Sequence, residues 1–379
     1  MKSLAANPKT DPFHVPSLDG IRAMSFLLVF AAHAGLERVV PGGFGVTVFF
    51  FLSGYLITTL LRMEQDARGT ISLRQFYLRR ALRILPPFYL VLGLAALVAR
   101  VGLIPGGVEG RALLAQALHV ANYWIVGHGY GGQPSGTGVY WSLAVEEHFY
   151  VVFPCLFLVV GGFVRERRRQ AMILWALCGV VLAWRCVLVY GLHAEADRTY
   201  VASDTRVDSI LFGCALALSG NPVLDGPSRI SEASWKYMLL PAGALVLLAS
   251  FVYRSPAFRE TFRYTLQGIA LSPVFVVAVR YPRWGLCRVL NLRVMSFLGV
   301  LSYPLYLVHH VLLGALGGAP FGPLWRALLA LALSVAVAWA IHELVEKPCA
   351  RLRRRLSAAR APVRAEDKRG AALVEARGP

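Results

Sequence analysis

Long apolar segments recur along almost the whole chain, and they limit its possible folds more than any other feature of the sequence. The 379 residues are 56% hydrophobic and have a mean hydropathy of +0.55, well above the range of a soluble domain. A helix of about 20 apolar residues crosses the hydrocarbon core of a bilayer. The pattern therefore predicts an all-α polytopic membrane protein, with a bundle of about ten transmembrane helices in one membrane domain.

Ten segments have the length and hydropathy of membrane-spanning helices. The stretch 112–127 is apolar but too short and too polar to span, and we expect it to be re-entrant or interfacial. The spans divide the chain into an N-terminal segment at 1–16, the membrane domain at 17–350 and a basic, disordered tail at 351–379. The predicted spans are residues 18–36, 44–62, 84–104, 142–163, 171–191, 204–219, 237–253, 264–280, 295–316 and 323–345.

The distribution of Lys and Arg predicts the orientation of the chain in its lipid bilayer. The net charge is +18, but the cations collect in alternate loops, which indicates the positive-inside rule and not a nucleic-acid partner. We therefore expect a multi-pass protein of the bacterial plasma (inner) membrane with both termini in the cytoplasm. The six cysteines form no C-x-x-C motif, so we expect neither a disulfide framework nor a metal site. The sequence does not indicate an oligomeric state.

Arg22 and His33 place two ionisable groups on the first predicted helix. Eleven residues separate them, so they point within about 20° of each other and lie about 16.5 Å apart along the axis. An ionisable group in lipid normally faces a polar cavity, and histidine can take and return a proton near neutral pH. His33 is therefore a candidate general base. The alternatives are an interhelical histidine hydrogen bond and an arginine that snorkels to the surface. Asp19 is a candidate partner for Arg22 and a candidate substrate-binding residue.

Two adjacent glutamates lie in the segment WSLAVEEHFY, near the start of the fourth predicted span. Carboxylates inside a membrane are costly unless they meet cations or water, so Glu146 and Glu147 are candidate catalytic residues. A capping box with Ser142 is the alternative, but the glutamates follow it by four and five residues, where the motif needs three. Trp141 and Ser142 open this helix and are candidates for substrate binding.

Three arginines, Arg79, Arg80 and Arg83, enter the third predicted span from the cytoplasm. Arginine binds phosphate through two parallel hydrogen bonds, so the cluster is a candidate site for a phosphate-bearing donor. The positive-inside rule explains the same arginines as a cytoplasmic topology signal, and the sequence alone does not choose between this role and donor binding.

Two further motifs contain candidate substrate-binding residues. In TRVDS, Arg206 and Asp208 enter the sixth predicted span and form either a structural ion pair or part of an acceptor site. In SYPLYLVHH, the spacing of Tyr303, Tyr306 and His309 predicts that they share one helix face.

In their order along the chain, these segments resemble the motif series of the acyltransferase 3 family of bacterial membrane O-acyltransferases. The resemblance covers about residues 16–350 and implies a ten-helix bundle and an acyl-coenzyme A donor used from the cytoplasm. It also implies that hydroxyls on carbohydrates are acylated and that the family's arginine and catalytic histidine fall on Arg22 and His33. The motifs are LDGIRA, His33, GGFGVTVFFFLSGYLIT, YLRRALRILPPFY, WSLAVEEHFY, TRVDS, SYPLYLVHH and VEKP.

The sequence departs from the family pattern at one position and in one domain. Thr47 stands where family members often have Asp, which removes one carboxylate partner for His33 and leaves Glu146 or Glu147 as candidates. Some members also carry a periplasmic esterase-like domain after the bundle, and this sequence does not continue into one. We therefore expect the membrane domain, or a separate protein, to complete the reaction.

The sequence thus predicts an O-acyltransferase that moves an acyl group, expected to be acetyl, from acyl-CoA to a carbohydrate or glycosylated acceptor. Surface polysaccharide, lipopolysaccharide, peptidoglycan, a glycolipid and a macrolide-type metabolite all present suitable hydroxyls. In this hypothesis His33 is the general base, Arg22 binds the donor or stabilises the thioester oxygen, and Glu146 orients the acceptor. The alternative is a proton-coupled transporter or flippase of a carbohydrate-like substrate.

Overall fold

The structure, a computed structural model, describes residues 15–104, 106–320 and 322–358. Within those ranges every regular element is helical. The α-helices are α1 Pro16–Ala31, α2 Gly42–Arg68, α3 Leu73–Arg100, α4 Gly110–Ala117, α5 Ala121–His128, α6 Trp141–Phe163, α7 Arg167–Cys186, α8 Ala196–Tyr200, α9 Ser203–Leu218, α10 Glu232–Ser234, α11 Leu240–Val252, α12 Pro256–Glu260, α13 Phe262–Arg280, α14 Cys287–Leu290, α15 Arg293–Val300, α16 Ser302–Ala315, α17 Pro323–Ile341 and α18 Lys347–Ala358.

Helices occur at all ten predicted positions. In the described residues, eight helical segments are long and apolar enough to cross a membrane, and α15 with α16 makes a ninth, bent by 76°. The remaining predicted span is α9, which has only 16 residues. The prediction of an all-α, multi-pass membrane fold is therefore confirmed.

The short helix α9 lies at the centre of the bundle, where it packs against α2 with the backbones almost in contact. A Cβ atom on Gly54 would lie 2.0 Å from the carbonyl oxygen of Ile210, and one on Gly213 would lie 1.9 Å from that of Phe51. Small residues permit such close packing between membrane helices. Thirteen of the sixteen residues of α9 are buried.

Two helices, α3 and α17, extend furthest beyond their predicted limits. α3 begins eleven residues early, at Leu73, because the Ser72 side chain accepts a hydrogen bond from the Gln75 amide and caps the helix. α17 continues through a π turn at His342–Glu346 into α18, so that residues 351–358 are helical although the sequence predicts a disordered tail from 351. The rest of that tail and residues 1–14 lie outside the described residues.

The stretch 112–127, predicted to be re-entrant or interfacial, forms the two short helices α4 and α5. His119 separates them with a φ of 56°, a left-handed conformation that interrupts helical hydrogen bonding. Neither helix is long enough to cross a membrane.

The ends of the long helices fall into two groups. The basic end comprises residues 15–22, 62–83, 163–169, 219–232, 280–293 and 346–358, and the opposite end comprises 36–42, 100–104, 106–141, 187–203, 252–262, 315–320 and 322–323. Contacts between distant segments hold the basic end together. Ser17 bonds Asn291 at 3.1 Å, and Arg62 pairs with Asp225 at 2.7 Å. The positive-inside rule predicts that the basic end is cytoplasmic.

Candidate active site

A cavity of about 480 Å³ opens at the basic end and extends deep into the bundle. Its walls come from α1, α2, α3, α6, the bend between α15 and α16, the π turn at His342–Glu346, and α18. Val15 and Lys347 lie near its mouth, and Ser142 and Tyr306 line its deep end. The volume is within the range of about 300–1,000 Å³ that is typical of small-molecule sites.

Ionisable side chains from five segments of the chain meet in this cavity. Several were predicted as site residues from motifs that lie far apart in the sequence. The ionisable lining residues include Asp19, Arg22, Arg80, Arg83, Glu146, Glu147, His342, Glu346, Lys347 and Arg353. A wall with this much charge within a membrane bundle indicates a polar ligand site.

Arg22 is held against the cavity wall by Asp19. The Arg22 guanidinium donates from Nη1 to Asp19 Oδ1 at 2.7 Å, across one turn of α1. Asp19 lies in the first turn of the helix, where the unpaired backbone N–H groups favour a carboxylate. The predicted pairing of these two residues is therefore present.

A hydrogen-bonded network on α2 and α6 holds Glu146. The Tyr150 hydroxyl donates to Glu146 Oε2 at 2.7 Å, and Ser53 shares a hydrogen bond with the same tyrosine hydroxyl. The Arg80 guanidinium lies over the Tyr150 ring, 5.0 Å from its centroid. Carboxylate, hydroxyls and guanidinium thus form one connected wall of the cavity.

Hydrogen-bonded hydroxyls line the deep end of the cavity. The Ser142 and Tyr306 hydroxyls are 2.7 Å apart, and each lies 3.1 Å from the Val139 carbonyl oxygen. Ser142 therefore does not cap α6, so the capping alternative for this motif has no counterpart in the structure. Tyr303, one turn before Tyr306, donates to the Ile84 carbonyl at 2.9 Å.

His33 and His309 form a hydrogen-bonded pair beyond the deep end. His33 lies on a π turn, Ala32–Leu36, that continues α1, and its Nδ1 is 3.1 Å from His309 Nε2. His309 is fully buried, and its Nδ1 is 2.8 Å from the Tyr306 carbonyl oxygen. His33 itself is exposed, and its ring also packs on that of His310, with centroids 4.5 Å apart.

Tyr306 separates the histidine pair from the cavity. Its phenol lines the cavity, its ring lies 5.5 Å from the His309 ring, and its carbonyl holds His309 Nδ1. The sequence predicts that Arg22 and His33 line one wall. In the structure Arg22 lines the cavity and His33 lies on the far side of Tyr306, so the two residues belong to adjoining compartments.

Arg79 and Asp208, both predicted as site residues, lie outside the cavity in ion pairs. Arg79 is directed to Glu64, 2.7 Å away, and does not line the cavity with Arg80 and Arg83. Asp208 pairs with Arg185 at 2.7 Å, and both side chains are fully buried. Of the two alternatives for Asp208, the structure has the ion pair, but its partner is Arg185 and not Arg206.

Arg206 is enclosed by aromatic rings and is fully buried. Its guanidinium lies 4.1 Å from the Tyr264 ring centroid and 5.7 Å from that of Trp141, and two further rings complete the enclosure. Its Nη2 donates to the Thr47 hydroxyl at 3.1 Å. The position at which family members often carry Asp therefore faces this arginine.

Several lining or contacting residues were not predicted. Tyr150 follows Glu146 by four residues, so the helical repeat contains a signal for it. His310 follows His309 directly and was not singled out. Ser53 and Lys347 lie within the motifs GGFGVTVFFFLSGYLIT and VEKP but were not singled out, and Arg353 lies outside every motif and reaches the cavity only through the packing of α18. The described part of the chain contains no cluster of three or more His, Cys, Asp or Glu side chains arranged to hold a metal ion.

Known proteins resemble the chain over most of the residues that build the cavity and over both residues of the histidine pair. The acyltransferase domain family matches residues 15–343. The peptidoglycan O-acetyltransferase OatA of Listeria monocytogenes is 29% identical over 352 residues, which are 88% of this chain and 56% of OatA. YrhL of Bacillus subtilis, provisionally named a peptidoglycan O-acetyltransferase, is 30% identical over 358 residues, 88% of this chain and 55% of YrhL.

A third relative extends the comparison to another species. A protein of Staphylococcus aureus, provisionally named an O-acetyltransferase, is 29% identical over 309 residues, 78% of this chain and 50% of its own length. The chain spans about half the length of these curated relatives. No solved structure matches it. Because the family match covers nearly all of the helical bundle, the chain belongs to the acyltransferase 3 family.

Proposed function

We propose that the chain is a membrane O-acetyltransferase that moves an acetyl group from acetyl-CoA to a hydroxyl of a carbohydrate. One observation carries the proposal: a cavity lined by cations leads from the basic end to Tyr306, and the Tyr306 carbonyl holds His309, which pairs with the exposed His33. Family membership and relatives named as O-acetyltransferases support it. The orientation that we adopt places the basic end in the cytoplasm of a bacterial plasma membrane, where acetyl-CoA is available.

The donor binds in the cavity, with its phosphates near the mouth. Arg80 and Arg83 lie one turn apart on α3, and Lys347 and Arg353 contribute cations from α18. Arginine and lysine at such a mouth match the phosphates of coenzyme A. The position of Arg22 in the cavity, apart from His33, favours donor binding over a role at the thioester oxygen. The narrow pantetheine arm then extends past Glu146 toward the deep end.

The acceptor reaches His33 from the opposite end. His33 Nε2 takes the proton of the acceptor hydroxyl, and the oxygen attacks the thioester carbonyl carbon. The carbon–sulfur bond then breaks, and the coenzyme A thiolate takes the proton back from His33, which leaves an O-acetyl ester and free coenzyme A. Base catalysis of this kind contributes about 10²- to 10⁴-fold. The thioester meets His33 only when the contact between Ser142 and Tyr306 opens.

The acceptor is a glycan. Two relatives are named for peptidoglycan, so an N-acetylated amino-sugar polymer is the first acceptor to try. Glu146 and Glu147, which line the cavity, are placed to orient polar groups close to its deep end.

The test uses the purified protein in nanodiscs with acetyl-CoA and soluble peptidoglycan fragments, with free coenzyme A and acetylated glycan measured by mass spectrometry. His33→Ala should lower both products about 10²- to 10⁴-fold at equal expression. His128→Ala, an exposed histidine at the end of α5, is the control and should keep the activity. Normal turnover by His33→Ala would overturn the proposal, as would glycan flux driven by a pH gradient without release of coenzyme A.

A further inference from the structure

We propose that His309 is a positioning residue that holds His33 in the one neutral tautomer able to act as a base toward the acceptor. This inference rests on the proposed function, because it assumes that His33 is the base. It assigns to His309 a role different from the substrate binding that the sequence suggests. The argument follows a chain of three hydrogen-bonding groups: the Tyr306 carbonyl, the His309 ring and the His33 ring.

The Tyr306 carbonyl fixes the proton on His309. A carbonyl oxygen accepts hydrogen bonds and cannot donate them. His309 Nδ1 lies 2.8 Å from this oxygen, so Nδ1 carries the proton and donates it. The carbonyl belongs to the backbone of α16, three residues before His309, and the helix geometry therefore keeps it in place.

The surroundings of His309 keep its ring neutral. The ring is fully buried and packs against Phe26 and Phe30, with centroids 5.7 Å and 6.4 Å away. A charged imidazolium among such rings would carry a large desolvation cost. A neutral ring with its proton on Nδ1 has an unprotonated Nε2, so His309 presents a hydrogen-bond acceptor to His33.

The acceptor on His309 determines which nitrogen of His33 carries the proton. His33 Nδ1 lies 3.1 Å from His309 Nε2 and must donate, so the neutral His33 ring carries its proton on Nδ1. Its Nε2 is then unprotonated and free to take the acceptor proton. When Nε2 becomes protonated, the Nδ1 hydrogen bond gains a charged donor and strengthens. The arrangement resembles the carboxylate–histidine pair of serine hydrolases, with a second histidine in place of the carboxylate.

His310 offers a matched control from the same helix. It also touches His33, but through the ring face, with the planes 33° apart, and its own Nδ1 is directed to the Gly136 carbonyl at 3.3 Å. It therefore contacts the same ring without setting the position of a proton.

The first measurement does not depend on activity. Nitrogen-15 NMR of histidine-labelled protein distinguishes the two neutral tautomers, and the His33→Ala and His309→Leu variants assign the signals. We expect His33 to be protonated at Nδ1 in the wild type and to become a mixture of tautomers in His309→Leu. A wild-type His33 protonated at Nε2 would overturn the inference.

The second measurement is kinetic. His309→Leu should lower kcat about 10- to 100-fold with little change in the KM for acetyl-CoA, whereas His309→Gln, whose amide oxygen can accept from His33, should restore part of the loss. His310→Leu should keep kcat.

In a His33→Ala background, His309→Leu should cause no further loss, because it acts through His33. If His33→Ala is inactive and His309→Leu is fully active, this inference fails and the proposed function stands. If His33→Ala is active, the proposed function itself fails.

Discussion

The cavity and the histidine pair adjoin each other but satisfy their polar groups in opposite ways. In the cavity, charges meet charges and hydroxyls: Arg22 pairs with Asp19, and Glu146 accepts from Tyr150. At the histidine pair, the His33 and His309 rings hydrogen-bond to each other, and His309 also bonds the Tyr306 carbonyl oxygen next to the Phe26 ring. The first environment suits an anionic ligand that binds and leaves, and the second suits a proton that moves between defined atoms.

This difference divides the reaction into two parts that mutations can separate. A group that binds the donor equally in the ground and transition states changes KM, whereas a group that acts only in the transition state changes kcat. Substitutions in the cavity should therefore change donor affinity, and substitutions at the histidine pair should change turnover.

The largest effect is expected at the histidine pair. His33→Ala should reduce kcat about 10²- to 10⁴-fold, because it removes the base. The same variant should bind coenzyme A with wild-type affinity, since His33 does not line the cavity. Calorimetric titration of the variant with coenzyme A measures this directly. A loss of coenzyme A binding in His33→Ala would show that the two regions are not separate.

Substitution of a cavity arginine should give the converse result. Arg22→Met or Arg80→Met should raise the KM for acetyl-CoA about 10- to 100-fold, which corresponds to the loss of one charged hydrogen bond, with a smaller change in kcat. Arg79→Met is the matched control, because Arg79 lies next to Arg80 but pairs with Glu64. Steady-state kinetics at varied acetyl-CoA concentration measures the KM and kcat of each variant. An equal rise in KM for Arg79→Met would remove the distinction that the geometry makes.

Tyr306 lies at the boundary, and its phenol and its carbonyl can be tested separately. Tyr306→Phe removes the contact with Ser142 but keeps the carbonyl that holds His309. We expect acetyl-CoA hydrolysis without acceptor to rise about 2- to 10-fold, since one hydrogen bond no longer closes the deep end. Tyr303→Phe, whose hydroxyl bonds Ile84, is the control. Unchanged hydrolysis in Tyr306→Phe would mean that the phenol is not a barrier.

The smallest effect is expected from α18 at the mouth. Lys347→Gln should raise the KM for acetyl-CoA about 2- to 5-fold, and the effect should fade at high salt, because an exposed charge is screened.

Coenzyme A should also slow the alkylation of Cys349, which lines the mouth, but not that of the exposed Cys155. Equal rates at both cysteines with and without coenzyme A would exclude α18 from the donor site.

The sequence predicted the helices well because hydropathy acts locally. All ten predicted segments are helical, and the motif order indicated which of them build the site. The division of Arg79 from Arg80 was not predictable, since it depends on Glu64, which reaches α3 only after α2 has packed beside it. The pairing of His33 with His309 joins residues 276 positions apart. The sequence identified both residues, but their contact depends on how α16 meets the end of α1.

The π turn at Ala32–Leu36 has a consequence for how the first helix can vary. A π turn closes its hydrogen bonds over five residues instead of four, so it sets the direction of His33 at the end of α1. Deletion of one residue between Arg22 and His33 would rotate the imidazole by about 100° and move it away from His309. Replacing one apolar residue with another there would leave that direction unchanged. The length of this segment is therefore under tighter constraint than its composition, and natural variants should differ there by substitution and not by insertion or deletion.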